Sequence, residues 1–342
     1  MTSGPHSQGL APRQQERPAL VSIVCPVFNE QDMLPDFHRA VRGAMKEIGQ
    51  PFEIVFVNDG STDASLSLMG QLRERHPNTT IVDLSRNFGK EIALTAGLDH
   101  ARGDAIVVID ADLQDPPEVI AEFIAGWREG YDVVYGQRRI RHGESWLKKF
   151  TARAFYRLMR HAGDVRLPEN VGDFRLMSRK TVDAVCAMRE RHRFMKGVFS
   201  WVGFPSKVVL YDRAARGAGT TKWNYWKLWN LSLEGVTSST LAPLKLSSYL
   251  GFIVAGFSFV FGAYIIVKTL MFGDPVPGYP TLATLILFLG GVQLMVLGVI
   301  GEYLGRIFNE TKQRPLYFTN AVELSDASSQ EFAAPAAAQS VA

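Results

Sequence analysis

Three carboxylates lie within six residues of the stretch VIDADLQDPPE, residues 108–118. Asp110, Asp112 and Asp115 follow the apolar run 106–109, which has the length and composition of a buried strand. Carboxylates this close together repel one another and raise each other's pKa, so a positive group is expected beside them. A divalent cation is the simplest such group. Because the ligands are oxygens and neither His nor Cys accompanies them, Mg²⁺ or Mn²⁺ is favoured over Zn²⁺.

A repeated strand–helix pattern must position these carboxylates. Amphipathic stretches of helical length lie near residues 31–48, 62–76, 90–101 and 117–129. The strand-length runs that alternate with them are rich in Val and Ile, and they are LVSIVC, EIVFV, TIVDL, AIVVI and DVVYG. This alternation predicts an α/β domain with a mostly parallel sheet covered on both faces. Such sheets bind ligands beyond the carboxyl ends of their strands.

Polar or ligand-type residues follow each predicted strand, so they are expected to converge on one rim of the sheet. In chain order they are Pro26, Phe28, Asn29, Glu30, Asn58, Asp59, Gly60, Ser61, Arg86, Asn87, Gly89, Lys90, Asp110, Asp112, Gln114, Gly136, Arg138 and Arg139. Each group alone has a structural explanation, such as a helix N-cap at Asp59 or a solvated charge at Arg138. The succession of such groups favours a ligand site.

The rim lacks the common phosphate-binding motifs, since GxGxxG does not follow the first strand and GxxxxGK[ST] is absent. A nucleotide at this rim is therefore expected to be held through its base and ribose, with its diphosphate bound to the metal. Glu30 and Asp59 are suitable acceptors for ribose hydroxyls or a base N–H. The net charge of +3 is too small to predict nucleic acid as a partner.

Two uncharged segments predict a membrane protein. Tyr249–Val267 has nineteen residues and Thr281–Gly301 has twenty-one, and each can cross a hydrocarbon core of about 30 Å as a helix. The turn FGDPVPGYP between them has no Lys or Arg, whereas Lys245 and Arg306 flank the pair on its outer sides. The positive-inside rule then predicts an inner or cell membrane protein with the catalytic domain and both termini in the cytoplasm.

The segment before the first apolar stretch carries Trp223, Trp226 and Trp229 at every third position. Since Trp prefers the headgroup zone, this segment is expected to lie in the membrane interface, although aromatic core packing is an alternative. The predicted organisation is a disordered N-terminal tail (1–19), a catalytic domain (20–222), an amphipathic interface segment (223–246), a two-helix transmembrane hairpin (247–305) and a cytoplasmic tail (306–342) that is disordered at its end.

Seven motifs in this order resemble glycosyltransferase family 2, which has the GT-A fold. They are PVFNE (26–30), VNDGSTD (57–63), RNFGKEIALTAGLDHA (86–101), DADLQDPPE (110–118), GDFRLMSR (172–179), RFMKGVFSWVGF (193–204) and RAARGAGTTKW (213–223). The chain looks most like the polyprenyl-phosphate hexose synthases, which include dolichyl-phosphate mannose synthase and bacterial undecaprenyl-phosphate glucosyltransferases. A lone DxD is a weak signal, but this ordered set followed by two apolar segments is specific. The resemblance implies a Rossmann-like, mostly parallel GT-A domain followed by interface helices and two transmembrane helices.

The resemblance also implies roles for individual residues. The nucleotide site would be lined by Pro26, Phe28, Glu30, Val57, Asp59, Asp110 and Ala111. Phe28 stands where relatives often have Tyr. The metal, Mg²⁺ or Mn²⁺, would bind Asp112 and Gln114. Donor or lipid phosphates would bind Arg138, Arg216 and Lys222, the last two from a mobile loop. The catalytic carboxylates would be Asp110, Asp112 and Asp173, with Asp173 in the position of the family's proposed base.

The implied activity is inverting transfer of a hexose from a sugar nucleotide to a polyprenyl phosphate at the cytoplasmic membrane face. UDP-glucose is the favoured donor, because GDFRLMSR and RNFGKE resemble the glucosyl branch. GDP-mannose, UDP-aminoarabinose, another UDP-sugar or a non-lipid acceptor are the alternatives, and a non-catalytic membrane scaffold is an alternative of another class. A phosphate monoester is largely dianionic at pH 7, so we hypothesise that Asp173 positions groups rather than accepting a proton. A homo-oligomer is expected, and the small-residue stretches Gly290-Gly291 and Gly298-x-x-Gly301 could pack helices closely.

Overall fold

The computed structural model describes residues 19–139, 171–191, 193, 195–212, 242–272 and 278–326. These residues belong to two compact units, one built on a sheet and one containing two long helices. Residues 1–18 and 327–342, at the ends of the two predicted tails, lie outside the described residues, as does most of the predicted interface segment.

The first half of the sheet unit follows the predicted alternation. Its elements are β1 (Val21–Val27), α1 (Leu34–Ile48), β2 (Phe52–Asn58), α2 (Ser65–Arg75), β3 (Thr79–Leu84), α3 (Lys90–His100), β4 (Ala105–Val108), a 3-10 turn (Pro117–Val119), α4 (Ile120–Arg128) and β5 (Val133–Arg138). Every strand and helix predicted in this region is confirmed. The strands are recognisable because strands buried on both faces are continuous runs of Val and Ile.

The second half contains elements that the sequence pattern does not predict. They are β6 (Val171–Ser178), α5 (Arg179–Ala187), α6 (Met195–Trp201), β7 (Ser206–Tyr211) and β8 (Thr319–Glu323). Helix α5 begins at a Ser178 cap whose side chain accepts a hydrogen bond from the backbone N–H of Thr181, as is usual for Ser at this position.

The described strands form one sheet in the order β7-β5-β6-β4-β1-β2-β3-β8. Strands β1 to β5 and β7 run in one direction, while β6 is antiparallel to β4 and β5, and β8 is antiparallel to β3. The predicted α/β class with a mostly parallel sheet is therefore confirmed. Apolar layers cover both faces, with Phe37, Phe56 and Phe123 on one side and Leu94 and Phe199 on the other.

Part of the predicted C-terminal tail, residues 306–342, belongs to the sheet unit. We call residues 317–326 the C-terminal strap. Its strand β8 pairs with β3, and the buried Ser325 donates a hydrogen bond to Glu53 over 2.8 Å. The Tyr317 hydroxyl donates to Asp99 over 2.8 Å. The strap has no apolar run of its own, so its structure depends on partners more than 200 residues away in the sequence.

The second unit contains α7 (Ala242–Phe272) and α8 (Tyr279–Thr311), which have 31 and 33 residues and contact each other. They contain the two predicted apolar segments, and α7 also takes in residues 242–246 of the predicted interface segment. Within the described residues, one segment is long and apolar enough to cross a membrane, Phe288–Thr311. A shorter apolar stretch lies in α7, at Gly251–Tyr264. The prediction of two transmembrane helices is thus supported for one of them.

Candidate active site

The loops that follow β1 and β2 are joined by hydrogen bonds at the carboxyl edge of the sheet. Asn29, with φ of 55°, accepts a hydrogen bond at Oδ1 from the backbone N–H of Thr62 over 2.8 Å. The N–H of Glu30 donates to the Ser65 hydroxyl over 3.0 Å. These contacts fix the backbone on either side of Phe28, whose ring is 46% exposed. The structure therefore presents one accessible aromatic face among the residues expected to line a nucleotide site.

Asp59 holds the loop after β3, residues 85–89, which we call the rim loop. Its two carboxylate oxygens accept hydrogen bonds from the backbone N–H groups of Phe88 and Gly89 over 2.7 and 3.0 Å. Burial raises the pKa of Asp59, and the two N–H donors oppose that shift. Pro26 and Val57 are neighbours across β1 and β2, and the Val57 side chain is fully buried in the core. Val57 therefore lies in the core and is not itself accessible to a ligand.

The segment after β4 turns sharply at the DADLQ motif. Leu113 has φ of 51°, and Asp112 accepts a hydrogen bond at Oδ1 from the backbone N–H of Gln114 over 3.1 Å. Ala111 is buried in the core, whereas its neighbours Asp110 and Asp112 are not, so their carboxylates lie at the edge of the sheet. This local turn brings Asp110, Asp112 and Gln114 to the same edge as the loops after β1 and β2.

The Lys90 ammonium lies between the carboxylates of Asp110 and Asp173 and forms an ion pair with each of them. Strand β6 is antiparallel to β4 with Val108 opposite Arg175, so the same register continued by two residues sets Asp110 opposite Asp173. The Lys90 Nζ, from the first residue of α3, lies 2.7 Å from Asp110 Oδ1 and 2.7 Å from Asp173 Oδ2. Burial lowers the pKa of Lys90, but the two carboxylates outweigh it and raise that pKa overall.

The electrostatics of this cluster fit a divalent cation. Burial raises the pKa of Asp110, Lys90 lowers it, and Asp173 and Asp112 raise it further. Asp110, Asp112, Asp173 and Lys90 together carry a formal charge of −2, and the guanidiniums of Arg138 and Arg175 also act on Asp110 and Asp173. Oxygen donors of this kind suit Mg²⁺ or Mn²⁺. Within the part of the chain that the structure describes, no three His, Cys, Asp or Glu side chains form a ready-made metal site.

Arg138, at the end of β5, lies beside the carboxylate cluster. Its Nε donates to the Tyr211 hydroxyl over 3.3 Å, and its Nη2 is 3.7 Å from Asp115 Oδ1. The Tyr211 hydroxyl in turn donates to Asp115 over 2.5 Å. A Cβ atom on Gly172 would lie 2.9 Å from Arg138 Nη2, so the guanidinium passes directly over the residue that precedes Asp173. A side chain at position 172 would therefore displace the Arg138 guanidinium from its present position.

The structure brings most of the predicted site residues to one edge, namely Pro26, Phe28, Glu30, Asp59, Asp110, Asp112, Gln114, Arg138 and Asp173. Arg216 and Lys222 lie outside the described residues. Lys90 is among the predicted rim residues without an assigned role, and Tyr211 is not among the predicted site residues. Sequence identifies Lys90 as a lysine among the predicted rim residues but not its partners, whereas Tyr211 lies on a strand that no sequence signal marks.

Comparison with known proteins gives the family. The model of Glycosyl transferase family 2 matches residues 22–186, and the model of the GtrB C-terminal hairpin matches residues 242–307. An uncharacterized glycosyltransferase of Synechocystis is 51% identical over 300 residues, which are 88% of this chain and 94% of the relative. A bactoprenol glucosyl transferase of Shigella phage SfV is 51% identical over 297 residues, which are 87% of this chain and 97% of the relative.

Among solved structures, a mannosyltransferase of Pyrobaculum calidifontis in complex with GDP-Man and Mn²⁺ is 17% identical, with a TM-score of 0.42. That alignment covers 86% of this chain and 89% of the other.

Sequence identity of 51% to the relatives from Synechocystis and Shigella phage SfV, over 88% and 87% of the chain, shows that the protein is a glycosyltransferase with a GT-A-like domain. It belongs to glycosyl transferase family 2 and carries the GtrB C-terminal hairpin after its catalytic domain. The resemblance inferred from the seven motifs is confirmed.

Proposed function

We propose that the protein transfers glucose from UDP-glucose to a polyprenyl phosphate, with inversion, at the cytoplasmic face of the membrane. The observation that supports this most directly is the carboxylate cluster of Asp110, Asp112 and Asp173 at the carboxyl edge of a GT-A-like sheet. Similarity to a bactoprenol glucosyl transferase over 87% of the chain supports the glucosyl donor and the lipid acceptor. The long apolar helix α8 supports membrane association.

In this reaction a phosphate oxygen of the acceptor forms a bond to the anomeric carbon of the sugar. The bond from that carbon to the diphosphate breaks, and UDP leaves with the electron pair. A phosphate monoester is largely dianionic at neutral pH, so no proton need be removed from it. The products are the polyprenyl-phosphate sugar and UDP, and the charge that the site must stabilise develops on the leaving diphosphate.

The residues at the rim have separate tasks in this proposal. Phe28 stacks on the base, Glu30 accepts from the ribose or base, and Asp59 keeps the rim loop in place. A bound Mg²⁺ or Mn²⁺ supplies charge stabilisation for the leaving diphosphate, and Asp112 and Gln114 are its expected protein ligands. Arg138 binds a phosphate of the donor or the acceptor. Arg216 and Lys222 remain predicted phosphate ligands.

The membrane topology proposed here has two spans, α7 and α8, with the catalytic domain and both termini in the cytoplasm. Lys245 lies near the start of α7 and Arg306 near the end of α8, on the side that the positive-inside rule assigns to the cytoplasm. Exposed apolar side chains are frequent along both helices, including Phe252, Phe259, Leu270 and Leu294. Exposed apolar surface of this extent is typical of a lipid contact.

The test uses full-length protein purified in detergent, with undecaprenyl phosphate, Mg²⁺ or Mn²⁺, and a panel of UDP- and GDP-sugars. Mass spectrometry reads the lipid-linked sugar. We expect one hexose product from UDP-glucose, its loss with EDTA, and a loss of at least about a hundredfold in Asp112→Ala, the effect of removing one main electrostatic group. The exposed Asp36→Ala serves as the matched control and should keep its activity. Nucleotide binding without lipid product from any donor would contradict the proposal.

A further inference from the structure

Lys90 forms ion pairs with two carboxylates of the site, and the transfer reaction proposed above assigns no function to these pairs. Its ammonium lies 2.7 Å from carboxylate oxygens of both Asp110, which follows β4, and Asp173, which lies in β6. The Lys90 side chain is 44% exposed, while those of Asp110 and Asp173 are 27% and 16% exposed. Lys90 therefore reaches the carboxylates from the open side of the rim, where a donor diphosphate would enter.

The backbone around Lys90 is fixed in a way that aims its side chain. Lys90 is the first residue of α3 and follows Gly89, whose φ of 95° is accessible to glycine and strained for other residues. The Gly89 N–H is held by Asp59 over 3.0 Å. The position of the ammonium thus depends on the same rim loop that is attached to the predicted nucleotide site.

We propose that Lys90 is a positioning residue that holds Asp110 and Asp173 in their reactive arrangement and weakens cation binding before the donor arrives. This inference rests on the proposed function, because it concerns the same carboxylate cluster. Without an ammonium, Asp110, Asp112 and Asp173 would repel one another and separate. With the Lys90 ammonium present, the cluster is still negatively charged, but it attracts a divalent cation less strongly than the three carboxylates alone would.

The proposal predicts opposite changes in two measurements. Replacing Lys90 removes a unit positive charge from the site, so the affinity for Mn²⁺ should rise by about tenfold in a partly solvated site. The same replacement releases Asp110 and Asp173 from their shared partner, so the transfer rate should fall by at least about tenfold. A residue that only stabilises the fold would lower both, because a loosened site binds the cation less well.

The experiment titrates the full-length protein in detergent with Mn²⁺ alone, by isothermal calorimetry, and then measures single-turnover transfer. Lys90→Met removes the charge and the donors. Lys90→Gln keeps a hydrogen-bond donor without the charge. If Lys90→Met does not fold, the Mn²⁺ affinity and transfer rate of Lys90→Gln are compared with wild type instead. Lys90→Arg keeps the charge and should leave the Mn²⁺ affinity within about threefold of wild type. The exposed Lys46→Met is the matched control and should resemble wild type in both measurements.

Tighter Mn²⁺ binding with slower transfer in Lys90→Met or Lys90→Gln is the expected result. Unchanged or weaker Mn²⁺ binding in both neutral variants overturns the proposal, as does the absence of Mn²⁺ binding from the wild type and both neutral variants alike. The Mn²⁺ titration uses neither donor nor acceptor. A failure of the proposed glucosyl transfer would therefore appear as missing lipid product, separately from the cation result.

Discussion

Glu53→Gln is predicted to destabilise the sheet unit, because Glu53 joins the C-terminal strap to the core. Glu53 is 2% exposed and its carboxylate accepts hydrogen bonds from the Ser22 hydroxyl at 2.6 Å, the Arg102 backbone N–H at 2.8 Å and the Ser325 hydroxyl at 2.8 Å. The Arg102 guanidinium lies 3.1 Å away. A glutamine has one acceptor oxygen, so its NH₂ group must face at least one of these donors.

The size of the effect follows from these contacts. The Arg102 side chain is 35% exposed, so losing this pair should cost less than the roughly 3–5 kcal/mol of a fully buried ion pair. A hydrogen bond to a charged group contributes about 1.5–3 kcal/mol. A loss of about 3 kcal/mol lowers the Tm of a domain of this size by roughly 6–12 °C. Ser325→Ala removes the strap's side-chain bond to Glu53 and should cost about 1–2 kcal/mol. The double variant should lose less than the two single losses together, by about 1 kcal/mol.

The pH dependence of the stability tests the contacts of Glu53 in a second way. Burial raises the pKa of Glu53, but the hydrogen bonds from Ser22, Arg102 and Ser325 outweigh it and hold the pKa below its usual range. The stabilisation is therefore present above the unfolded pKa of about 4.3 and is lost as the pH falls through the lower folded value. The difference in Tm between wild type and Glu53→Gln should shrink in acid.

The assay is thermal unfolding of the full-length protein in detergent, followed by intrinsic fluorescence, with the exposed Glu47→Gln as control. A Glu53→Gln protein that melts within about 2 °C of wild type at neutral pH would refute the reasoning, since that is less than 1 kcal/mol. Strict additivity with Ser325→Ala would show that the strap does not engage Glu53.

Three further predictions concern the rim. Asp59→Asn leaves one backbone N–H of the rim loop facing an amide NH₂, so the Kd for UDP should rise by about tenfold in a calorimetric titration. Gly60→Ala adds a Cβ 2.5 Å from the Asn87 nitrogen at φ of 66°, and should lower Tm by several degrees more than Gly49→Ala, where φ is 67° but no atom lies within 4 Å. Asp173→Asn should lose a fraction of its transfer rate that does not shrink as the pH rises above 7, and a recovery at high pH would instead indicate that Asp173 accepts a proton.

The parts of the fold that sequence predicts are those that local pattern determines. Strands β1 to β5 are visible because each is a continuous apolar run between amphipathic helices, and the polar residues after them mark the rim. Strand β6 is less visible because Asp173 and Arg175 interrupt its apolar pattern. Arg175 is nonetheless buried, with its guanidinium 2.8 Å from the Gly172 carbonyl and 4.1 Å above the Phe199 ring. These partners become neighbours only in the folded chain.

The role of Lys90 could not be predicted from its position after β3 for a related reason. Sequence places an ammonium at the rim, but its two acceptors come from the end of β4 and the start of β6, which are 20 and 83 residues away. No spacing rule relates them. The C-terminal strap has the same property, since TNAVE carries no strand signal and becomes β8 only by pairing with β3.

The two antiparallel strands, β6 and β8, contribute residues to the rim because each of them begins at the carboxyl edge of the sheet. A strand parallel to β1 delivers the residues after its end to the carboxyl edge, whereas an antiparallel strand delivers the residues at its start. Val171 of β6 lies opposite Gln137 at the end of β5, and this places Asp173 beside Asp110 at the rim, where both contact Lys90. The Phe318 carbonyl, just before β8, accepts from the Ser85 N–H at the start of the rim loop. The reversed strands therefore supply contacts to the rim that no continuation of the βαβ pattern could provide.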